Sequence, residues 1–222
     1  MTSRVCVLLD LDDTMFAEKE YFQSVFGSFT SQLGLDSEIA TTYLKNFSDI
    51  RTNIRDIFSH FLKSQDLYSK KNHDDLFEIY KNVDTQLTPH DGVEALINDL
   101  LKTQAEVAVL TNGVSEAQRN KWKSLRLLRK ERISFYAARD LSGDKPSPAT
   151  YEGWRRLQEV EWSRVIAVGD KYENDVAYPL QMGACALLVN ADVRIYSDSD
   201  RFRHVPSMAS SAEHILSFAG RV

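Results

Sequence analysis

This 222-residue chain has little cysteine and no excess of positive charge. The two cysteines, Cys6 and Cys185, fall inside short apolar runs, so buried thiols are expected and a structural disulfide is not. The formal net charge of -5 leaves no broad positive surface for a nucleic-acid backbone or an anionic membrane. The five histidines have no metal-ligand spacing with one another or with cysteine, so zinc is not indicated.

Long hydrophobic runs are missing as well. The apolar stretch nearest the N-terminus covers only residues 5–9, which is too short for a signal-peptide core or a membrane span. We therefore expect a cytoplasmic protein, monomeric or homodimeric, with no membrane partner and no nucleic-acid partner. With 43% hydrophobic residues, the chain can bury one good core, alone or with a smaller appended unit.

Short apolar runs alternate with helical patterns along most of the chain. The runs cover residues 5–9, 107–110, 165–168 and 184–189, with 133–137 as a weaker candidate. Continuous apolar runs of this length predict an α/β fold, in which a parallel sheet is covered by helices on both faces. Ser147, as an N-cap before Pro148, predicts a helix that runs to residue 160.

Residues 16–86 break this alternation. They contain no clear strand, and their apolar residues recur at helical spacing in two stripes: Tyr21, Phe22, Val25, Phe26, Phe29 and Leu33, then Ile50, Ile54, Ile57, Phe58, Phe61 and Leu62. Asn72 and Asp75 resemble a capping box at the start of a further helix. We predict a small helical bundle at residues 16–86, inserted into a core made of residues 1–15 and 87–222.

Two carboxylates follow the first predicted strand. Asp10 and Asp12 lie two residues apart, so they project to the same side if the chain stays extended. A carboxylate can attack phosphorus to form an aspartyl-phosphate, while a second one protonates the leaving oxygen and later deprotonates water. Acidic turns after strands are also common, and this pair alone does not distinguish the two interpretations.

A second acidic group follows the strand predicted at residues 165–168. Asp170 and Asp175, together with Asp10, offer the hard oxygen ligands that Mg²⁺ prefers. Either Asp170 or Asn174 could instead cap the next helix. Four carboxylates at one sheet edge, Asp12 included, would repel one another strongly without a cation, so their joint presence favours a Mg²⁺ site.

Two further elements have the chemistry to hold a phosphate. Thr111, Asn112 and Gly113 follow the strand predicted at residues 107–110, where a hydroxyl and backbone N–H groups can bind phosphate oxygens. Lys145 can neutralise the charge of the phosphoryl group and of Asp10. A lone lysine in a loop is normally only solvated, but this one lies just before a predicted helix.

These four elements resemble, in order and spacing, the four motifs of the haloacid dehalogenase-like (HAD) hydrolase superfamily. The matching stretches are residues 10–14, residues 111–113, Lys145 with Pro146, and residues 169–175. The resemblance spans residues 5–189 and implies a Rossmann-like core with a helical insert at the position of the family's C1 cap. Asp13 stands where many members carry glycine.

The resemblance also implies residue roles. Asp10 would be the nucleophile and Asp12 the general acid/base. The Mg²⁺ ligands would include Asp10, Asp170 and the backbone carbonyl of Asp12. Members that cleave carbon–halogen bonds lack the second aspartate, so Asp12 favours phosphoryl transfer.

The expected function is therefore that of a Mg²⁺-dependent phosphatase acting on a small phosphate ester. The motifs are most similar to those of nucleotide, flavin-mononucleotide and sugar-acid phosphatases. A sugar phosphomutase and a non-catalytic binding or regulatory module of the same fold remain alternatives. A phosphomutase would return the phosphoryl group to a sugar instead of to water.

Some residues outside these motifs could also serve the site. Phe16, Glu18 and Lys19 could line the entrance to the site, and Arg51 and Arg55 could contact an anionic leaving group from one face of a helix. A basic run from Lys121 to Arg132 is interpreted as a helix and turn with a solvated face, against a docking patch as the alternative.

Overall fold

A computed structural model describes residues 4–189 and 198–220, and its centre is a six-stranded parallel sheet. The strands are β1 (Cys6–Leu9), β2 (Glu106–Thr111), β3 (Ser134–Ala137), β4 (Val165–Gly169), β5 (Cys185–Val189) and β6 (Phe202–Val205). They lie in the order β3-β2-β1-β4-β5-β6. This is the predicted α/β, Rossmann-like fold, and the five predicted strands agree with the structure to within one residue at each end.

The strand order explains where a site can form. The chain builds one half of the sheet outward from β1 and the other half outward from β4, and these two strands are neighbours. The order therefore reverses between β1 and β4, and open α/β sheets bind ligands beyond the carboxyl ends of strands at such a point. Asp10 and Asp170 directly follow these two strands.

Ten helices accompany the sheet in the described part of the chain. Five lie between β1 and β2 in the predicted insert: α1 (Glu18–Gln32), α2 (Glu38–Tyr43), α3 (Phe47–Asn53), α4 (Ile57–Ser64) and α5 (Lys70–Asn82). The others are α6 (Val93–Leu100), α7 (Ser115–Ser124), α8 (Pro148–Gln158), α9 (Ala177–Gln181) and α10 (Met208–Ala219).

The insert packs around aromatic side chains, as its apolar stripes predict. Phe22, Phe26, Phe58 and Phe61 are all buried, and the rings of Phe26 and Phe61 stack with their centroids 4.2 Å apart. The second stripe does not form one helix, because α3 ends at Asn53 and α4 begins at Ile57. The division of the chain into core and cap domains stays a prediction.

Two predicted helix caps need correction. Helix α5 is capped by Ser69, whose hydroxyl accepts a hydrogen bond from the Asn72 backbone at 3.0 Å, so the capping box predicted at Asn72 and Asp75 is wrong. Helix α8 begins at Pro148 as predicted, but the Ser147 side chain makes no capping bond. The helix ends at Gln158, two residues before its predicted end.

The sequence predicts no membrane-spanning segment and no structural disulfide. None of the helices among the described residues is both long enough and apolar enough to cross a membrane. Residues 4–189 and 198–220 contain no disulfide bond, and Cys6 is buried in β1 as predicted, whereas Cys185 is only half-buried at the start of β5.

Candidate active site

The loop after β1 brings a row of acidic side chains to the sheet edge. The Asp10 backbone N–H donates to the Val168 carbonyl at 2.9 Å, which extends the β1–β4 pairing by one residue. The chain then turns at Asp13, whose φ of 59° lies in the left-handed region. This conformation explains why glycine is common at this position in the resembling family, since only glycine adopts it without strain and aspartate tolerates it better than most residues.

Asp10, Asp170 and Asp175 form a compact carboxylate cluster. One oxygen from each lies within 4.8 Å of the others. Asp175 comes from a π-helical turn, Tyr172–Val176, and reaches the cluster because Gly169 has no side chain there. A Cβ atom at Gly169 would collide with the Asp175 carboxylate.

The electrostatics of this cluster fit a bound cation. Burial, and then the nearby charge of Asp10, raise the pKa of Asp170 to about 8. Burial also raises the pKa of Asp10, against the lowering effect of Lys145. Three hard oxygen donors crowded together are a donor set that suits Mg²⁺, which relieves the repulsion between their negative charges.

Lys145 places an ammonium group between two of these carboxylates. Its Nζ donates to Asp10 Oδ1 at 2.6 Å and to Asp175 Oδ1 at 2.7 Å, and its side chain is 3% exposed. Burial would lower the pKa of Lys145, but the two carboxylates outweigh burial and raise that pKa above its ordinary value. Lys145 is therefore charged at the cluster and is not the solvated loop lysine of the alternative interpretation.

The loop after β2 holds Lys145 in place. The Asn112 side chain accepts from the Lys145 backbone N–H at 2.6 Å and donates to its carbonyl at 2.9 Å. The Gly113 N–H donates to Asp144 at 3.0 Å. Asn112 and Gly113 are predicted to bind phosphate. For that, their hydrogen bonds to Lys145 and Asp144 would have to be replaced by hydrogen bonds to phosphate oxygens. Thr111 differs, because its hydroxyl is buried and has no hydrogen-bond partner among the described residues.

Asp12 has surroundings different from those of the cluster. Its Oδ2 accepts hydrogen bonds from Lys121 Nζ at 2.8 Å and from Gln118 Nε2 at 2.9 Å. Burial raises the pKa of Asp12 to about 6, with Lys121 lowering it and Glu18 raising it. The Asp12 side chain is not part of the carboxylate cluster. Its backbone carbonyl is therefore the one atom of Asp12 that remains a candidate metal ligand.

Lys121 links Asp12 to the insert. Its Nζ, fully buried, also donates to Glu18 Oε1 at 3.1 Å, and Glu18 Oε2 accepts from Arg51 Nε at 2.8 Å. Burial alone would raise the pKa of Glu18, but Lys121 and Arg51 lower it to about 2. The four side chains thus form an alternating chain of charges from the sheet edge to helix α3.

These groups surround one cavity of about 220 Å³ at the carboxyl end of β1. Its lining includes the side chains of Asp10, Asp12, Thr111, Lys145, Asp170 and Asp175. All the predicted site residues therefore lie around one space, although their chemical roles stay predictions.

The sequence of the chain matches a family model over residues 7–189. That model describes the haloacid dehalogenase-like hydrolases. The chain belongs to this family. No curated protein matches its sequence significantly.

Solved structures of HAD-fold proteins resemble this HAD hydrolase over nearly its whole length. YfnB from Bacillus subtilis, described as a HAD hydrolase bound to magnesium, is 18% identical with a TM-score of 0.70, and the match covers 97% of this chain and 99% of YfnB. A HAD phosphatase from Thermococcus onnurineus is 23% identical (TM-score 0.60; 96% and 97% covered). L-2-haloacid dehalogenase from Xanthobacter autotrophicus is 14% identical (TM-score 0.65; 96% and 98% covered). At these identities the likeness shows the fold alone.

Several residues outside the four motifs of this HAD hydrolase differ from their sequence interpretation. Lys121 does not belong to a solvated basic face, because it is fully buried, and the helix of the basic run ends at Ser124. Arg55 lies beyond the end of α3 and does not share a helical face with Arg51. Phe16 is fully buried, whereas Lys19 is exposed.

Sequence reasoning missed two contacts of Asp12, those with Gln118 and Lys121. Both side chains are buried on α7 together with Ala117. The available signal was their spacing, since residues 117, 118 and 121 share one face of a helix. An inward-facing helical surface that carries glutamine and lysine instead of leucine indicates a polar site beneath it.

Proposed function

We propose that this HAD hydrolase is a Mg²⁺-dependent phosphatase that hydrolyses a small phosphorylated metabolite. The observation that carries the proposal is Asp12, a carboxyl group that is 15% exposed, lines the cavity together with Asp10, and has its pKa raised by burial to about 6. A carboxyl group that changes protonation near neutral pH suits general acid/base catalysis. An ester oxygen needs a proton when it leaves, whereas a halide does not.

In the first step, an Asp10 oxygen attacks phosphorus as the bond to the leaving oxygen breaks, and Asp12 gives that oxygen its proton. The Thr111 hydroxyl can donate to a phosphoryl oxygen, because no residue in the described ranges occupies it. Lys145 holds Asp10 in place and offsets the negative charge that gathers at phosphorus.

In the second step, water replaces the Asp10 oxygen. Asp12, now ionised, takes a proton from the water as its oxygen attacks phosphorus, and Asp10 is released as a carboxylate. Asp12 is then protonated again, so that one cycle consumes one ester and one water and yields an alcohol and phosphate. Asp10, Asp170 and Asp175 would hold Mg²⁺, which supplies positive charge that stabilises the phosphoryl oxygens.

The size and charge of the cavity support a small, polar substrate. Its volume of about 220 Å³ is below the ~300–1,000 Å³ typical of sites for drug-sized ligands. We propose that residues 16–86 act as a cap over this cavity and that the substrate is the only partner required for activity. We also propose that the protein is a monomer or homodimer and acts in the cytoplasm.

The test is a screen of phosphorylated metabolites with added Mg²⁺, in which released phosphate is measured. The screen includes nucleoside monophosphates, flavin mononucleotide and sugar phosphates, with 2-haloacids assayed in parallel for halide release. Asp10→Asn is the blank, and Asp140→Asn, at an exposed position paired with Arg119, is the matched control. We expect phosphate release from the parent and from Asp140→Asn only.

Three outcomes would contradict the proposal. Halide release without phosphate release would indicate a dehalogenase. Isomerised sugar phosphate without free phosphate would indicate a phosphomutase. Activity of Asp10→Asn close to that of the parent would contradict the covalent mechanism.

A further inference from the structure

The two carboxylate oxygens of Asp12 have different surroundings. Oδ2 accepts two hydrogen bonds, from Lys121 Nζ at 2.8 Å and from Gln118 Nε2 at 2.9 Å. Oδ1 is buried and has no hydrogen-bond partner among residues 4–189 and 198–220. Because Asp12 lines the cavity and its Oδ2 is occupied, Oδ1 is the oxygen left to serve a substrate.

Lys121 is fixed on every side by other groups. It projects from α7, its side chain is fully buried, and its ammonium group contacts both Asp12 and Glu18. The rings of Tyr21 and Tyr80 lie beside it, with centroids 5.3 and 5.7 Å from Nζ. A buried ammonium group is stable only when it is paired, so Lys121 stays with these carboxylates.

Glu18 is held in turn by the insert. Its second oxygen accepts from Arg51 Nε at 2.8 Å, and its backbone N–H donates to Asp13 at 2.9 Å. Glu18 is therefore a second, anchored carboxylate partner of Lys121. The position of the Asp12 carboxylate depends on a lysine that no motif of the chain includes.

We propose that Lys121 is a positioning residue, which binds Asp12 Oδ2 so that Oδ1 carries out the proton transfers. The proposal rests on the proposed phosphatase function and deepens it. In the first step the proton passes from Asp12 Oδ1 to the leaving ester oxygen as its bond to phosphorus breaks and the bond to Asp10 forms. In the second, Oδ1 takes a proton from the attacking water as the bond between Asp10 and phosphorus breaks.

The test compares two esters whose leaving groups differ in their need for a proton. Nitrophenolate leaves p-nitrophenyl phosphate without one, whereas the alkoxide of glycerol 2-phosphate requires one. Lys121→Met should lower kcat/KM, which reports only the formation of the aspartyl-phosphate, about 100-fold for glycerol 2-phosphate, within the range of general acid/base effects, and less than 10-fold for p-nitrophenyl phosphate. A purely structural role would lower both to the same extent.

A double variant tests whether the effect passes through Asp12. In an Asp12→Asn background, Lys121→Met should cause no further loss on glycerol 2-phosphate. Lys123→Met, at an exposed position on the same helix, is the matched control and should leave both rates unchanged. Equal losses on the two esters, or a full additional loss in the Asp12→Asn background, would overturn the proposal.

A second variant is needed because Lys121→Met removes the cationic partner of Asp12, leaves Glu18 with Arg51 alone, and can prevent folding. Gln118→Leu removes the other, uncharged donor to Asp12 Oδ2 and should produce the same selective loss, about 10-fold on glycerol 2-phosphate. If neither these two esters nor any metabolite of the screen loses phosphate above the Asp10→Asn blank in the parent, this proposal and the phosphatase function fail together. If the parent is active and the variants slow both esters equally, only the role of Lys121 fails.

Discussion

Glu18→Gln would remove one negative charge from the most deeply buried ion-pair chain of the insert and leave the shape of the side chain nearly unchanged. Glu18 is 4% exposed and is one of two carboxylates that pair with Lys121. Without the charge of Glu18, Lys121 would be paired with Asp12 alone. Arg51 would lose its pair but remain 39% exposed to water. The main penalty therefore comes from the lysine, which has no access to solvent.

The size of the penalty follows from two independent arguments. Breaking a buried ion pair by removing one partner typically lowers the free energy of unfolding by ~3–5 kcal/mol. The pKa of Glu18 falls from its ordinary 4.5 to about 2, and each tenfold change in acidity corresponds to ~1.4 kcal/mol, which gives a value on the order of 3 kcal/mol. For a chain of this length, a loss of ~3 kcal/mol lowers Tm by ~6–12 °C.

The penalty should depend on pH in a definite direction. Because the folded-state pKa of Glu18 is lowered, its contribution to stability is fully present above about pH 4.5 and is lost as pH falls through about 2. The difference in unfolding free energy between the parent and Glu18→Gln should therefore be largest at pH 7. At pH 3 about half of it should remain.

Urea denaturation at pH 7 and pH 3 measures this difference, with the fluorescence of the three tryptophans as the signal. Glu78→Gln is the matched control, because Glu78 pairs with Lys81 at 2.6 Å but is 64% exposed. Its loss should cost less than ~1 kcal/mol. Equal effects of the two substitutions, or a Glu18→Gln penalty that does not shrink at pH 3, would refute the reasoning.

Three further predictions concern catalysis. Asp12→Asn should lower kcat about 10²–10⁴-fold and remove the pH dependence near 6 from the rate profile; a profile like that of the parent would contradict its acid/base role. Activity should vanish with EDTA and return with added Mg²⁺, and activity in a rigorously metal-free assay would contradict the metal assignment. Gly169→Ala should displace Asp175 and weaken Mg²⁺ dependence, measured as a higher Mg²⁺ concentration at half-maximal rate, and an unchanged value would contradict the role of Gly169.

The sheet could be predicted because its signal is local. Buried parallel strands are continuous apolar runs, and β1, β2, β4 and β5 are of this kind. The last strand, β6, was missed because Arg203 and His204 interrupt its four residues at the edge of the sheet. An edge strand has one neighbour and needs less apolar sequence, so its pattern is weaker.

The acidic site could be predicted for a topological reason. Asp10 and Asp170 each follow a strand of a parallel sheet, Thr111 is the last residue of another, and the carboxyl ends of such strands meet at one edge. The proximity of these side chains could therefore be predicted without knowledge of any distance. The position of Asp175 depends on one further condition, that residue 169 has no side chain. The glycine is visible in the sequence, but its contact with Asp175 is not.

The contacts of Asp12 could not be found in this way, because they depend on how a helix faces the sheet. Lys121 is 109 positions from Asp12 and 103 from Glu18, and it lies within a run of basic residues whose other members do not share its burial. Charge runs usually indicate solvated surface, and that rule fails where one member faces inward. The distinguishing feature is the position of the helix, since α7 begins four residues after Thr111 and its first turns stay close to the site. A lysine on the buried face of such a helix, next to a buried glutamine, is better interpreted as a partner for the carboxylates at the strand ends than as part of a basic patch.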